Sequence, residues 1–205
     1  IYNPVDIEFI NNKKLENIHD KYYLNGLNKE RLKLITVGHL HYQKGYDLLI
    51  KSMKNIKDKF PFSLVIIGDG EERDKLEKIV QSENLNEFIF FMGYQDNPYK
   101  WIAKSDLFIL SSRWEGFGHV IVESMSLGVP VISTDCESGP NEIITDNHNS
   151  FLFKNYDSKE LENKLEFLYH NKQLLSNMKD KTISRSKDFS AKKITQDYQK
   201  IFLNL

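Results

Sequence analysis

The chain has 205 residues, of which 40% are hydrophobic and 12% aromatic, with 28 basic and 29 acidic residues and a formal net charge of −1. This balance excludes the basic surface typical of nucleic-acid-binding proteins, and no apolar run reaches the roughly 18 residues of a membrane span. We therefore expect a globular chain with a sizeable core, without a signal peptide or a nucleic-acid partner. The single cysteine, Cys136, excludes an internal disulfide and fits a cytoplasmic protein.

Residues 1–30 are polar and weakly patterned, which indicates a connector with a short helix or loop. From Arg31 onward, short apolar runs typical of strands alternate with stretches of helical periodicity. The predicted strands are residues 33–37, 63–67, 88–92, 107–110, 130–133 and 151–153. The predicted helices between them are residues 45–57, 71–81, 98–104, 119–127 and 140–145. This alternation predicts an α/β fold, a doubly wound, Rossmann-like parallel sheet of about six strands.

After residue 153 the pattern is helical to the end of the chain. The predicted helices are residues 158–170, 172–187 and 190–203, and Ser190 is expected to cap the last of them. This last helix carries one apolar stripe formed by Ile194, Tyr198, Ile201 and Phe202. We divide the chain into a connector at 1–30, a Rossmann-like domain at 31–187 and a C-terminal helix at 188–205.

Residues 111–135 carry the strongest functional signal. Glu115 and Glu123 flank a turn that contains Gly116 and Gly118, with an apolar strand before and after the segment. Glycines after a strand let the backbone approach a ligand, and free N–H groups at the following helix start favour a phosphate. The two carboxylates would then bind hydroxyl groups of a ribose and of a sugar. The alternative is a tight turn without a ligand, in which Glu123 complements the helix dipole.

The loop at residues 37–45 indicates a second part of the same site. Gly38 ends the first strand, Gly45 begins a helix, and Lys44 can act as a mobile positive charge on a diphosphate; the alternative is a solvated loop lysine. The loop lacks the GxGxxG pattern, which disfavours a dinucleotide-dependent oxidoreductase. No set of histidines and acids near Glu115 has the spacing of metal ligands, so we expect no metal.

Three other features are interpreted without a ligand. Pro140 and Glu142 suit the first and third positions of a helix, so a capping role is favoured. Trp101 and Trp114 are expected to pack in the core or at its rim. Cys136 is not favoured as a nucleophile, because no histidine has a sequence context that would activate it.

Together these residues resemble the C-terminal, nucleotide-sugar-binding lobe of the retaining family 4 glycosyltransferases, which have the GT-B fold. The resemblance extends over nearly the whole chain. It rests on motifs in the family's order: the Glu-x7-Glu pair Glu115 and Glu123, the loop at 37–45, the turn at 67–70, the strand end at 91–94 and the segment 127–132.

The resemblance implies roles for individual residues. Glu115 is expected to bind hydroxyls of the donor sugar, Glu123 those of the ribose, and Lys44 to neutralise the leaving diphosphate. Backbone near residues 117–119 is expected to bind phosphate or sugar oxygens, and backbone around Tyr94 to meet the base. The implied donor-binding residues are Gly38, His39, Lys44, Tyr94, Glu115, Phe117, Gly118, His119 and Glu123. The implied catalytic residues are Glu115 and Lys44, with no metal and no other cofactor.

Two features depart from the family's pattern. His39 stands where the family usually has arginine, which is always charged, whereas histidine is mostly neutral at pH 7. Either His39 is a weaker phosphate ligand, His41 assists it, or binding depends on pH. In addition, the family's other Rossmann-like lobe, which supplies the acceptor site, is expected to lie outside this chain.

We therefore expect the donor-binding half of a retaining hexosyltransferase that acts in bacterial surface or lipid-linked glycan synthesis, such as that of lipopolysaccharide. A UDP-sugar is preferred to a GDP-sugar as donor, and the acceptor is a glycan or lipid-linked molecule bound through the other lobe. The fragment alone is expected to be inactive, and the full protein to be cytoplasmic and peripheral to the inner face of the membrane. The alternative is a non-catalytic nucleotide-sugar-binding or interaction module, which His39 favours and the retained Glu115 and Glu123 disfavour.

Overall fold

The computed structural model describes residues 2–18 and 31–203, in which six parallel strands form one sheet. The strands are β1 Leu32–Val37, β2 Phe62–Ile67, β3 Ile89–Phe91, β4 Leu107–Leu110, β5 Val131–Asp135 and β6 Phe151–Lys154. Their order across the sheet is β3-β2-β1-β4-β5-β6, and each neighbouring pair is parallel. This is the doubly wound, Rossmann-like topology, so the predicted fold class is confirmed.

Helices precede the sheet, connect its strands and continue beyond β6. They are α1 Ile7–Lys13, α2 Tyr46–Ile56, α3 Arg73–Ser82, α4 Tyr99–Ile102, α5 His119–Ser126, α6 Pro140–Ile143, α7 Ser158–His170, α8 Lys172–Ser186 and α9 Ala191–Leu203. Short 3-10 turns occupy Tyr42–Lys44 and Lys187–Phe189. Every predicted strand and helix from residue 31 onward is present within two residues of its predicted ends. In residues 2–18 and 31–203, no helix is both long enough and apolar enough to cross a membrane.

The predicted connector at 1–30 contains one helix in its described part. Asp6 caps α1, because its side chain accepts a hydrogen bond of 2.9 Å from the Phe9 N–H. The remainder of the connector prediction, at residues 19–30, lies outside the described residues. The proposed division of the chain at residues 30 and 187 stays a prediction.

Alternate residues of the strands send their side chains into two cores, one on each face of the sheet. Leu34 packs on the face covered by α2, α3, α7 and α8, whereas its neighbour Ile35 packs on the face covered by α1, α4 and α5. Trp101 of α4 is buried in the second core, and Trp114 is half exposed at the rim. Both tryptophans therefore have the packing roles that the sequence predicted.

The strand order changes direction between β1 and β4, and this change creates the crevice that positions the site. From β1 the chain builds the sheet outward through β2 and β3, and then returns to add β4, β5 and β6 on the other side. Because β1 and β4 are parallel neighbours, the loops that follow them leave the same edge of the sheet side by side. Doubly wound sheets bind ligands at this edge.

The N-terminal segment is hydrogen-bonded to the start of the last helix. The Val5 N–H donates to the Phe189 carbonyl, and the Val5 carbonyl accepts from the Ala191 N–H, both at 2.9 Å. The segment before β1 and the segment after α8 therefore lie side by side.

The last helix buries only the beginning of its apolar stripe. The Ser190 hydroxyl oxygen accepts a hydrogen bond of 3.3 Å from the Lys193 N–H, so the predicted cap is confirmed. Ile194 is buried. The rest of the predicted stripe is 46–70% exposed and consists of Tyr198, Ile201 and Phe202.

Candidate functional site

The loops that follow β1 and β4 are hydrogen-bonded to each other at the crevice. The Arg113 N–H donates to the Gln43 carbonyl at 2.7 Å, and the Ser111 hydroxyl donates to the Lys44 carbonyl at 2.9 Å. The Gln43 side-chain amide donates to the Trp114 carbonyl at 2.9 Å. The two loops therefore form one continuous surface, although about 70 residues of sequence separate them.

Lys44 and Glu115 form an ion pair at the centre of this surface. The Lys44 Nζ lies 2.7 Å from Glu115 Oε1, and the Ser112 hydroxyl donates to the same oxygen at 2.6 Å. The side chains of Lys44 and Glu115 are only 19% and 7% exposed. The structure thus brings together the two residues for which the sequence indicated a diphosphate ligand and a sugar ligand.

A glycine is required where the two loops meet. Gly45 has a φ of 63°, in the left-handed region, and a Cβ at this position would lie 2.2 Å from the Ser111 carbonyl oxygen. Only a residue without a side chain lets α2 begin this close to the end of β4. Gly45 therefore permits the loops that carry Lys44 and Glu115 to lie side by side.

Arg113 fixes the same junction from inside and was missed by the sequence analysis. Its guanidinium donates to the Tyr42 carbonyl at 2.6 Å and to Asp47 Oδ2 at 2.7 Å, and lies 3.9 Å from the centre of the Tyr42 ring. Burial pushes the pKa of Asp47 upward, but the Arg113 guanidinium outweighs burial and holds that pKa below its usual range. Arg113 is thus committed to Asp47 and the loop. Its place three residues after the buried strand β4 was the available sequence signal.

The start of α5 presents free backbone donors. Gly118, with a φ of 86°, turns the chain into the helix. The N–H groups of Gly118, His119 and Val120 donate to no acceptor within residues 2–18 and 31–203. Phe117 is buried against Phe189, whereas the His119 side chain is exposed. This N-terminus can accept an anion, as the sequence indicated for residues 117–119.

Glu123 lies on α5 beside the side chain of Tyr99 on α4. Burial raises the pKa of Glu123, and a hydrogen-bonding interaction with the Tyr99 side chain opposes that rise. Burial and the Glu123 carboxylate raise the pKa of Tyr99 to about 12, so its hydroxyl remains a donor at neutral pH. Tyr99 was also missed, because α4 and α5 come together only through the packing of the second core.

A cavity of about 630 Å³ opens at the ends of β1 and β2. Gly38 and His39 line one side, the turn at residues 68–70 lines another, and Tyr94 stands exposed at the third. A Cβ on Gly68 would lie 1.9 Å from the Gly38 carbonyl oxygen, so this glycine permits the two strand ends to touch. The cavity has room for a planar base, and the predicted residues Gly38, His39 and Tyr94 all border it.

The two histidines of the β1 loop share one carboxylate. His39 Nε2 lies 3.2 Å from Glu71 Oε2, and His41 Nε2 lies 3.4 Å from Glu71 Oε1. The Glu71 backbone N–H and the two imidazoles hold the pKa of Glu71 below its usual range. His39 therefore has an acidic partner at the position where the family resemblance implies a phosphate ligand.

The features interpreted without a ligand have structural roles. Pro140 begins α6, and Glu142 Oε1 accepts a hydrogen bond of 3.1 Å from the Gly139 N–H, so the capping prediction is confirmed. Cys136 is buried, and burial raises the pKa of its thiol, which opposes reaction as a nucleophile. Among the described residues, no group of three or more histidines, cysteines and acids is arranged to hold a metal ion.

Comparison with known proteins identifies a protein family and two similar sequences. Residues 23–185 match the family described as Glycosyl transferases group 1. The chain is 31% identical over 205 residues to the N-acetylgalactosamine-N,N'-diacetylbacillosaminyl-diphospho-undecaprenol 4-alpha-N-acetylgalactosaminyltransferase of Campylobacter jejuni, covering 99% of this chain and 53% of that protein. It is 39% identical over 145 residues to an uncharacterized glycosyltransferase of Methanocaldococcus jannaschii, covering 70% of this chain and 34% of that protein. The chain therefore spans about half the length, or less, of these relatives.

The fold also matches a solved structure. The crystal structure of Anabaena HepE in complex with UDP has a TM-score of 0.86 and is 24% identical. The match covers 100% of this chain and 57% of that chain. At this identity the likeness concerns the fold, which is that of one half of the larger Anabaena protein.

Proposed function

The chain belongs to the glycosyl transferases group 1 family, and we propose that it is the donor-binding half of a retaining glycosyltransferase that uses a UDP-sugar. One observation carries the proposal: Lys44 and Glu115 meet at 2.7 Å in the crevice, a few residues before the start of α5. The crevice thus combines three kinds of group: the Lys44 cation for a diphosphate, the Glu115 carboxylate for hydroxyls, and the free N–H groups at the start of α5. The UDP in the Anabaena HepE crystal structure supports a uridine nucleotide.

We assign each group of the donor to a part of the site. The diphosphate binds Lys44 and the N–H groups at the start of α5, and the donor sugar binds Glu115. The ribose hydroxyls bind Glu123, and the base enters the cavity beside Tyr94. This assignment is supported by the order of the groups along the sheet edge, since the cavity at β1 and β2 adjoins Lys44 through Gly38.

The chemistry follows from where charge develops. Breaking the bond between the anomeric carbon and the diphosphate oxygen moves an electron pair, and hence negative charge, onto the diphosphate. Lys44 and the N-terminus of α5 stabilise this charge, so the reaction needs no metal ion. The acceptor hydroxyl attacks the face from which the diphosphate leaves and gives its proton to the departing phosphate oxygen. The anomeric configuration is therefore retained.

The acceptor is proposed to bind through another part of the full-length protein. The chain spans 53% of its Campylobacter relative, and most of the apolar stripe of α9 is exposed. The names of relatives, among them a poly(glycerol-phosphate) alpha-glucosyltransferase of Bacillus subtilis, support a glycan or lipid-linked acceptor. Such acceptors also support peripheral association of the full-length protein with the inner face of the membrane.

Calorimetric titration with UDP, GDP and NADH tests the proposal. Wild-type protein is expected to bind UDP, and Glu123→Ala to bind it at least about 10-fold more weakly, because the ribose hydroxyls lose a charged acceptor. Glu137→Ala, which removes an exposed acid beyond the end of β5, is the control and is expected to leave the affinity unchanged. Binding of NADH alone, or of none of the three, would refute the donor site.

A non-catalytic nucleotide-sugar-binding module is the second candidate. The observation that favours it is the pairing of His39 with Glu71, which lowers the positive potential available to a diphosphate. Retention of both Glu115 and Glu123, the two acids of the family's motif, favours the enzyme instead.

A further inference from the structure

We propose that the Lys44–Glu115 ion pair makes this site select a sugar-bearing nucleoside diphosphate over the bare nucleoside diphosphate. The inference rests on the proposed function and adds to it a source of selectivity. Its starting point is that both groups assigned to the donor already bind each other at 2.7 Å. A ligand must therefore compete with the protein's own contact.

A bare nucleoside diphosphate competes with Glu115 for the Lys44 ammonium and offers Glu115 no new partner. To bind the diphosphate fully, the Lys44 ammonium must leave Glu115 Oε1, which then keeps only the Ser112 hydroxyl at 2.6 Å. The Glu115 side chain is 7% exposed, so water replaces the lost ammonium poorly. A nearly buried carboxylate without its cation is costly, and a second anion beside it raises that cost.

A sugar-bearing donor removes the cost. Hydroxyl groups of the sugar donate hydrogen bonds to the Glu115 carboxylate and take the place of the ammonium. Lys44 is then free to bind the diphosphate with its full charge. The sugar and the diphosphate thus bind cooperatively, although they contact different residues.

The surrounding structure confines this exchange to the lysine side chain. The Ser111 hydroxyl donates to the Lys44 carbonyl and the Arg113 N–H donates to the Gln43 carbonyl, so hydrogen bonds connect the two loops whether or not the ion pair is formed. The Lys44 stem passes beside Gly38, where an added Cβ would lie 3.6 Å from Lys44 Cε. Gly38 also lines the cavity proposed for the base. The lysine side chain therefore lies beside a residue that lines the cavity while its ammonium contacts Glu115, and a rotation of this side chain alone would bring the ammonium to the diphosphate.

The same pair weakens the hold on the product. Once the sugar has moved to the acceptor, Glu115 loses the hydroxyls and recovers Lys44. The nucleoside diphosphate then loses part of its cationic partner. Release of the diphosphate is favoured without movement of the backbone.

Calorimetric titration of the 205-residue chain with UDP and UDP-glucose, and with GDP in parallel, tests this inference. Wild type is expected to bind UDP-glucose more tightly than UDP, and Glu115→Gln is expected to lose this preference. Glu115→Gln is expected to bind the nucleoside diphosphate about 10-fold more tightly than wild type, because Lys44 loses its competing partner. Lys44→Met is expected to bind it more weakly. In the double variant the gain from Glu115→Gln is expected to disappear, since the gain acts through the Lys44 ammonium.

The matched control is Asp135→Asn. Asp135 is exposed at the end of β5. It lies near the site: burial raises the pKa of the Cys136 thiol, the negative charges of Glu115 and Asp135 add to this rise, and the charge of Lys44 opposes it. Neutralising Asp135 removes a nearby negative charge that Lys44 does not bind, so the affinity is expected to change less than about twofold. Thermal unfolding of each variant checks that the fold is intact.

Three results would overturn the inference. Equal or weaker binding by Glu115→Gln would mean that Lys44 serves the carboxylate and the phosphate together. The same increase in affinity in the Lys44→Met background, or an equal increase in Asp135→Asn, would mean that loss of any negative charge near the site strengthens binding, without a role for the ion pair. Absence of UDP and GDP binding in every variant would refute the proposed function itself, and this inference with it.

Discussion

His39, a candidate phosphate ligand, already has an acidic partner. Its imidazole pairs with Glu71 at 3.2 Å, and the same carboxylate binds His41 at 3.4 Å. A carboxylate shared by two imidazoles leaves less positive potential for a diphosphate than a free cation would. The loop after β1 therefore depends on Lys44 for a permanent positive charge.

Replacing His39 by arginine is expected to strengthen nucleotide binding. The guanidinium is always charged and can bind a phosphate through two N–H groups while it remains near Glu71. We expect His39→Arg to bind UDP about 10-fold more tightly by calorimetry. His148→Arg, an exposed position that precedes β6 at the opposite edge of the sheet, is the control and is expected to have no effect. Unchanged affinity in His39→Arg would show that the imidazole does not border the diphosphate.

At the scale of elements, the site depends on how closely α2 approaches the end of β4. Gly45 permits that approach with a φ of 63°, and the buried guanidinium of Arg113 fills the space behind it. A hydrogen bond between Asn155 Nδ2 and the Arg113 carbonyl, at 2.6 Å, connects the loop after β6 to the same junction. Three loops at one sheet edge thus keep Lys44 and Glu115 together.

Two glycines of these loops are expected to differ sharply when replaced by alanine. In Gly45→Ala the new methyl group meets the Ser111 carbonyl in a backbone conformation that L-residues avoid, so we expect a loss of at least about 2 kcal/mol in the free energy of unfolding. At Gly116, an added Cβ would have no atom within 4 Å. Gly116→Ala is therefore expected to change stability by less than about 0.5 kcal/mol. Urea unfolding measures both, and similar losses would contradict this account of the junction.

At the scale of the whole molecule, the last helix leaves most of its apolar stripe exposed. Tyr198, Ile201 and Phe202 of α9 are largely exposed although they form a stripe at helical spacing. Contiguous exposed apolar surface is more often part of an interaction site than the rest of a protein surface is. Together with the partial coverage of the relatives, the stripe supports the proposal that the acceptor site lies in another part of the full-length protein.

The chain by itself is expected to bind donor and to transfer little or no sugar. When it is incubated with UDP-hexoses and bacterial membrane lipids, it should release UDP no faster than Lys44→Met, because the acceptor is proposed to bind through another part of the full-length protein. Coupled detection of UDP measures this rate. Release clearly faster than that of Lys44→Met would show that the chain contains a complete catalytic site.

Local patterns in the sequence predicted the strands and helices and many of the candidate site residues. Alternating apolar strands and helices defined β1 to β6 and their connections, because each pattern depends on neighbours a few residues away. The spacing of Glu115 and Glu123 around Gly118 is also local, since one turn and one helix start contain all of it. The resemblance to a glycosyltransferase family followed from such local motifs, and the family match confirms it.

Only the tertiary structure decided which of these groups touch. The pairing of Lys44 with Glu115, of Arg113 with Asp47 and of Tyr99 with Glu123 depends on strands and helices that meet through the sheet order and the two cores. Side-chain contacts across such distances in sequence follow from packing, which no local periodicity encodes. The sequence by itself thus predicted most residues of the candidate site, though not Arg113 or Tyr99, and the fold decided that its cation and its carboxylate bind each other.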